Sequence, residues 1–210
     1  MSHLAVIVPV KSSGRKSRLS PVLSEGERRA FAQSLFRGVM GALAKAGVIG
    51  SCRVVSSDPE TLRSAGALGA MPVAEGSDSG VNSAVRRGME AAEEADEFLV
   101  LPSDLPLLRA SDVRDLLRLR AGGPRVVIAP SSSFDGTNAL LFPRAPAFPL
   151  SYDSDSFWNH LAGASAMGIP AAVCARAGLM FDVDSPSDLR RLARTRVGGE
   201  SARLARRSAP

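Results

Sequence analysis

The chain has 210 residues, of which 45% are hydrophobic and 22% charged, and its formal net charge is +5. This length suits one compact domain that buries its core without disulfide bonds, and the two cysteines, Cys52 and Cys174, form no metal-binding or redox motif. No run approaches the ~20 apolar residues of a membrane span, and the N-terminus has no signal-peptide pattern. We therefore expect a cytoplasmic protein without a membrane partner.

The basic charge is concentrated at the C-terminal end. Residues 189–210 carry seven arginines and one glutamate, a formal charge of +6, whereas residues 1–188 sum to −1. We predict one folded domain over residues 1–196, followed by a basic, disordered tail over residues 197–210. Such a tail could bind nucleic acid, but a solvated chain end is the commoner explanation, so nucleic acid is not the expected partner.

Strand and helix signals alternate along the chain. Residues 4–10 form a continuous apolar run that predicts a strand covered on both faces, and Ser24 and Glu27 form a capping box before an amphipathic helix that Gly47 can end. The further predicted strands are residues 52–56, 71–74, 98–101, 126–129, 139–142, 171–174 and 179–181. The further predicted helices are residues 59–67, 83–92, 111–119, 156–167 and one that starts at Ser185.

This order of elements is typical of an α/β protein. It predicts a single-domain, three-layer α/β/α sandwich around a mostly parallel, mixed sheet. Ligands of such sheets bind beyond the carboxyl ends of the strands, so the residues that follow each strand are the candidates for function.

The loop after the first predicted strand, which starts at Pro9, is basic. Lys11, Arg15, Lys16 and Arg18 lie within eight residues that contain no acid. Such a loop suits polyphosphate binding, although a solvated run of charges remains an equal alternative. The loop lacks the glycine spacing of dinucleotide-binding oxidoreductases and of P-loop NTPases, which disfavours both classes.

Three aspartates follow buried, strand-like segments. Asp104 lies between two prolines, and Asp182 and Asp184 would point to the same side of an extended segment. Together they could hold one or two Mg²⁺ ions, the usual means of stabilising phosphoryl or nucleotidyl transfer. The alternatives are a turn at Asp104 and support for the cap of the last helix at Asp184.

Two other segments open regular elements. Gly80 and Asn82 belong to a glycine-containing stretch before a predicted helix, which suits a nucleotide but also fits a plain loop. Thr137 and Asn138 precede the sixth predicted strand. Ser156 begins a helix, where it either binds an anion or caps the helix.

The histidines predict no catalytic base. His3 is terminal, and His160 lies in a predicted helix without a Cys or Ser partner, so each is expected to be an ordinary surface or core residue. An enzyme with this sequence must then work without a histidine base. Attack by a phosphate oxygen fits, because a phosphate monoester with a second pKa of ~6 is already ionised near neutral pH.

These motifs together resemble the phospholactate/phosphoenolpyruvate guanylyltransferases of coenzyme F-420 biosynthesis, which have the nucleotide-diphospho-sugar transferase fold. The matching stretches run in order across the chain. They are VPVK (8–11), KSRL (16–19), LSEGER (23–28), VVSSDPE (54–60), GVNSAV (80–85), LPSDLPLL (101–108), VIAP (127–130), GTNALL (136–141), DSFWNHL (155–161) and FDVDSPSDL (181–189).

The resemblance implies roles for the candidate residues, with residues 1–196 as a nucleotidyltransferase domain. Catalysis would depend on Lys11, Lys16, Arg18 and Asp104. The nucleotide GTP would contact Pro9, Lys11, Lys16, Arg18, Gly80 and Asn82. The metal, Mg²⁺, would be held by Asp104, Asp182 and Asp184. The acceptor would contact Thr137, Asn138, Asp153 and Ser156. The family often has glycine in place of Asp153, and an extra carboxylate beside an anionic acceptor is unexpected.

The reaction that the resemblance implies is attack by an acceptor phosphate oxygen on the α-phosphorus of GTP, with release of pyrophosphate. The acceptor is a small phosphorylated acid, and the sequence does not distinguish 2-phospholactate, phosphoenolpyruvate and 3-phosphoglycerate. Two alternatives are a related nucleotidyltransferase acting on a molybdopterin, cobinamide or sugar phosphate, and a non-catalytic nucleic-acid-binding protein. The former group usually opens with a glycine-rich loop where this chain has PVK. A nucleotide sensor without turnover and a homodimer also stay open.

Overall fold

The computed structural model describes residues 3–11, 16–77, 80–121, 125–196 and 199–208. The strands are β1 (Leu4–Pro9), β2 (Cys52–Ser56), β3 (Met71–Ala74), β4 (Glu97–Val100), β5 (Val126–Pro130), β6 (Thr137–Pro143) and β7 (Ala171–Val173). The helices are α1 (Glu25–Ala46), α2 (Pro59–Ala67), α3 (Val81–Glu90), α4 (Ala110–Arg118), α5 (Ser156–Ala166), α6 (Ala177–Met180), α7 (Pro186–Ala193) and α8 (Glu200–Ser208). Within these ranges no helix is long and apolar enough to cross a membrane.

One seven-stranded sheet organises the molecule, in the order β3-β2-β1-β4-β6-β5-β7. Strand β6 runs antiparallel to both of its neighbours, and the other paired strands are parallel. Because β6 runs against β4, with Leu140 opposite Val100, the first residues of β6 lie at the edge where β4 ends. The predicted α/β class with a mostly parallel, mixed sheet is confirmed.

Burial on both faces of the sheet explains why the sequence of β1 is apolar without interruption. Val6 and Val8 pack into the core on one face of the sheet, which α1 and α4 cover, whereas Ala5 and Ile7 pack into the core on the other face, beneath α3 and α5. All four side chains are fully buried. Burying an aliphatic side chain on each face, at about 1.5–3 kcal/mol for a full-sized one, fixes β1 at the centre of the three layers.

The local signals at three helix ends are confirmed, whereas the helix predicted from residue 111 begins at Ala110 with Arg109 as its N-cap. The Ser24 hydroxyl and the Glu27 carboxylate form the capping box of α1, and Gly47 ends that helix with a φ of 82°. Ser185 and Asp188 form a second capping box before α7. Residues 177–180, however, form the short helix α6, so the predicted strand over 179–181 is wrong there.

The C-terminal segment differs from its prediction. Residues 200–208 form α8, in which Ala202 and Ala205 are fully buried against α1 and α7, and Glu200 forms an ion pair with Arg37. The prediction of disorder is therefore wrong for this stretch, while residues 197–198 and 209–210 of the predicted tail lie outside the described part. Alanines supply the buried face of α8, and among arginines they give only a weak hydrophobic pattern.

Candidate active site

A cavity of about 700 Å³ opens at the edge of the sheet where β1 and β4 end and β6 begins. Its volume lies in the usual range for small-molecule sites. It is lined by most of the predicted site residues, namely Pro9, Lys11, Lys16, Arg18, Gly80, Asp104, Thr137, Asn138, Asp182 and Asp184. Arg15, the fourth cation of the predicted basic loop, lies outside the described residues.

The ammonium group of Lys16 joins two of the predicted metal ligands. Its Nζ lies 2.8 Å from Asp104 Oδ2 and 2.8 Å from Asp184 Oδ1, and only 11% of the lysine side chain is exposed. Lys16 has a φ of 53°, a left-handed conformation that costs a non-glycine residue roughly 1–2 kcal/mol. The single helical turn that follows, Ser17–Leu19, places Leu19 in the core and anchors this part of the loop.

The charges at this cluster shift its ionisation. Burial disfavours the ammonium of Lys16, but the two carboxylates outweigh burial and raise the pKa of Lys16 above its ordinary value. Burial also opposes ionisation of Asp184, yet the adjacent Lys16 outweighs it and lowers the pKa of Asp184. Asp182 responds in the opposite direction, because burial and then the charge of Asp104 raise its pKa.

Asn138 orients Asp182. Its amide Nδ2 donates hydrogen bonds to the Leu179 carbonyl, at 3.0 Å, and to Asp182 Oδ1, at 3.2 Å. The Asn138 residue is buried, with 6% exposed. The structure thus places its amide against the carboxylate cluster, a contact that its predicted role toward the acceptor did not include.

A hard divalent cation prefers oxygen ligands, and the three carboxylates supply them. Asp104, Asp182 and Asp184 offer only oxygen ligands and line the same cavity, so these residues fit Mg²⁺. Over the described ranges, however, no group of three or more His, Cys, Asp or Glu side chains is arranged as a metal site. Lys16 already engages Asp104 and Asp184, and the magnesium site stays a prediction.

A second cluster surrounds the start of β6. The Thr137 backbone N–H donates to Ser156 Oγ at 2.8 Å, and Thr137 Oγ1 lies 3.0 Å from His160 Nδ1. The N-cap residue of α5 is Asp155, and no side chain caps this helix. Ser156 is buried outside the cavity lining and connects α5 to β6, so its side chain is not the cap that the local alternative predicted.

Two further predicted residues lie beside the cavity without lining it. Asn82 Oδ1 accepts the backbone N–H of Tyr152 at 3.0 Å, and Asn82 Nδ2 donates to Asp153 Oδ2 at 3.4 Å. Asp153 is exposed. Asn82 therefore attaches the loop before α5 to the N-terminus of α3.

Several lining residues escaped the sequence prediction. Gln33, Glu60, Glu75 and Tyr152 all border the cavity. The hydroxyl of Tyr152 is buried there and has no hydrogen-bond partner within the described part of the chain. Gln33 and Glu60 come from helices α1 and α2, whose polar residues resemble an ordinary solvated face. The stretch VVSSDPE (54–60) includes Glu60 but assigned it no role.

Comparisons with known proteins agree with this arrangement. The family model described as "Guanylyl transferase CofC like" matches residues 4–202. A phosphoenolpyruvate guanylyltransferase from Rubrobacter xylanophilus is 42% identical over 195 residues, covering 91% of this chain and 94% of the relative. A 3-phospho-D-glycerate guanylyltransferase from Phenylobacterium zucineum is 36% identical over 198 residues, covering 91% and 89%.

The fold also matches a solved structure. A protein from Desulfovibrio desulfuricans G20, provisionally assigned as a nucleotide-diphospho-sugar transferase, superimposes with a TM-score of 0.71 at 17% identity, covering 99% of this chain and 95% of that one. That likeness supports the nucleotide-diphospho-sugar transferase-like fold. With the family model spanning almost the whole chain and a relative at 42% identity, the family is established. This chain belongs to the CofC-like guanylyl transferases, a family of nucleotidyltransferases.

Proposed function

We propose that this enzyme transfers GMP from GTP to a small phosphorylated carboxylic acid and releases pyrophosphate, as a step of coenzyme F-420 biosynthesis. The observation that carries the proposal is the pairing of Lys16 with Asp104 and Asp184 in a 700 Å³ cavity that Lys11 and Arg18 also line. Three cations beside carboxylates that fit Mg²⁺ suit a triphosphate. We expect the enzyme to work in the cytoplasm, where GTP is available.

The chemistry requires no protein base. An oxygen of the acceptor phosphate forms a bond to the α-phosphorus of GTP, and the bond from that phosphorus to the β-phosphate oxygen breaks. The acceptor monoester is already ionised near neutral pH. His160 is consistent with this route, because both of its ring nitrogens are engaged by protein groups. Lys11, Lys16 and Arg18 would offset the charge that develops on the leaving pyrophosphate.

Asp104, Asp182 and Asp184 are the residues that would hold Mg²⁺, which when bound supplies charge neutralisation of the phosphates. Asp104 and Asp184 now hold the Lys16 ammonium through one oxygen each, so a metal that takes those oxygens would have to displace it. The phosphates of a bound nucleotide give that ammonium an alternative anionic partner. We therefore propose that Lys16 exchanges carboxylates for phosphates when the substrate binds.

The acceptor is narrowed to three acids. One relative acts on phosphoenolpyruvate and another on 3-phospho-D-glycerate, as their names state, and the family resemblance adds 2-phospholactate. All three acids carry one phosphate monoester and one carboxylate. We propose that the acceptor lies near Thr137, a hydroxyl-bearing residue that lines the cavity together with Asp104, Asp182 and Asp184.

The test is pyrophosphate release from GTP and Mg²⁺ with each of the three acids in turn. We expect release that depends on one acid and falls when ATP, CTP or UTP replaces GTP. The same assay without any acid is the control for hydrolysis. Absence of acid-dependent release with all three acids would overturn the proposed function.

A further inference from the structure

His160 is a fully buried side chain of α5 that contacts two other segments. Its Nε2 lies 3.0 Å from the backbone nitrogen of Ser151, in the loop before α5, and its Nδ1 lies 3.0 Å from Thr137 Oγ1 at the start of β6. The ring of Tyr152 packs edge-on against the imidazole, with centroids 4.8 Å apart. The imidazole of His160 is thus fixed by two hydrogen bonds and by the ring of Tyr152.

These contacts assign the tautomer of the imidazole. A backbone N–H can only donate, so His160 Nε2 must accept the hydrogen bond from Ser151 and carries no proton. A neutral imidazole then carries its proton on Nδ1, which donates to Thr137 Oγ1. Burial lowers the pKa of His160 to about 4, so the neutral form dominates near pH 7.

The proton on His160 Nδ1 determines which hydrogen bonds the hydroxyl of Thr137 can make. Its oxygen accepts from His160, and its backbone N–H is fixed by Ser156 Oγ at 2.8 Å. Among the residues that the structure describes, Thr137 Oγ1 has no other hydrogen-bond partner, and the residue lines the cavity. The hydroxyl hydrogen therefore has no acceptor among the described residues, and a ligand in the cavity that Thr137 lines could supply one.

We infer that His160 is a positioning residue, which holds the Thr137 hydroxyl as a hydrogen-bond donor toward an anionic oxygen of the acceptor acid. The inference rests on the proposed function, since it takes the acceptor to lie at Thr137. A hydroxyl can rotate between donating and accepting, and an anion requires the donor. An imidazole that donates to the hydroxyl oxygen removes this choice before the acceptor binds.

Two substitutions of His160 distinguish its contact with Thr137 from its contact with Ser151. His160→Asn places an amide nitrogen near the position of Nδ1 and can still donate to Thr137, whereas His160→Gln reaches toward Ser151 and loses the contact with Thr137. We expect His160→Gln to raise the acceptor KM by roughly tenfold, as for the loss of one hydrogen bond to a charged group, and His160→Asn to raise it less. The KM for GTP should change by less than about twofold in both variants. Equal effects on the two substrates would overturn the inference.

A double-mutant cycle tests whether His160 acts through Thr137. Thr137→Val removes the hydroxyl with little change of shape, and Thr137→Ser is the matched control that keeps it. In the Thr137→Val background, His160→Gln should not raise the acceptor KM further. An unchanged effect of His160→Gln in that background would show that His160 acts by another route, and the inference would be wrong.

The tautomer can be measured on the wild-type enzyme, and a variant serves only to assign the signals. The chain has two histidines, so ¹⁵N-labelled imidazole gives two sets of signals, and His160→Asn assigns them. Near pH 7 we expect the proton on Nδ1 of His160, and a proton on Nε2 would overturn the inference. If the wild-type enzyme uses none of the three acids, the proposed function fails together with the acceptor part of the inference. If it turns over but the cycle is additive, the inference alone fails.

Discussion

Replacing Lys16 with methionine should separate nucleotide use from metal binding. The substitution keeps most of the volume of the side chain and removes the ammonium that lies 2.8 Å from both Asp104 and Asp184. If the ammonium moves to the phosphates of GTP, its loss removes a charge-assisted contact of about 1.5–3 kcal/mol. We therefore expect kcat/KM for GTP to fall by roughly 10- to 150-fold.

The same substitution should strengthen metal binding in the absence of nucleotide. Asp104 and Asp184 are 25% and 48% exposed at their side chains, so each ion pair with Lys16 contributes no more than about 1 kcal/mol. Releasing them should raise the affinity for Mg²⁺ or Mn²⁺ by up to roughly fivefold for each pair. Calorimetric titration measures this affinity independently of turnover.

The matched control is Lys45→Met, because Lys45 is exposed in the last turn of α1 and does not line the cavity. Lys45→Met should leave both kcat/KM for GTP and the affinity for Mg²⁺ or Mn²⁺ unchanged. Wild-type kcat/KM for GTP in Lys16→Met would refute the contact between Lys16 and the phosphates. Unchanged metal affinity in the same variant would refute the exchange of Lys16 for a metal at the carboxylates.

Three further predictions concern stability. Removing residues 197–210 deletes α8 and uncovers the apolar side of α1, so the free energy of unfolding should fall by at least ~2 kcal/mol and Tm by roughly 4–8 °C; an unchanged Tm would contradict this. His160 takes up a proton near pH 6.5 in the unfolded chain but only near pH 4 in the folded chain, so the free energy of unfolding should fall by roughly 3 kcal/mol as the pH drops through this window. Denaturant titrations should show this loss in the wild type and not in His160→Asn. In Gly88→Ala the new Cβ would lie 2.6 Å from Ile7 Cγ2, which should destabilise the fold by about 1–3 kcal/mol. In Gly38→Ala the new Cβ meets no atom within 4 Å, so this variant should stabilise the fold by up to ~1 kcal/mol, and equal shifts of Tm in the two variants would contradict this packing.

Local signals were sufficient to predict the caps at Ser24 and Ser185 and most of the alternation of strands and helices, but not the helices α6 and α8. Ser24 and Ser185 cap helices with partners only three residues away, and the apolar run of β1 is explained by burial on both faces. The position of Asp104 after β4 also followed from local sequence, because a buried strand must deliver the next residues to the edge of the sheet. These predictions depend on short sequence separations.

Contacts between distant segments were beyond such reasoning. Lys16 pairs with Asp104 and Asp184, which are 88 and 168 residues away, so its present partners could not be predicted from the basic loop alone. Which strands flank the antiparallel β6 depends on pairing across the sheet, and that pairing brings Thr137 to the cavity. The sequence indicated no function for His160, because its partners at Thr137 and Ser151 meet it only in the folded chain.

The central claim is that the α-phosphoryl group of GTP moves to the acid with its nucleoside. The most direct measurement follows the label from [α-³²P]GTP and from [γ-³²P]GTP in parallel reactions with Mg²⁺ and the acid that supports turnover. We expect the α-label to appear in a conjugate of GMP with the acid and the γ-label to appear in pyrophosphate. Transfer of the γ-label to the acid, or an α-label found only in free GMP, would contradict it.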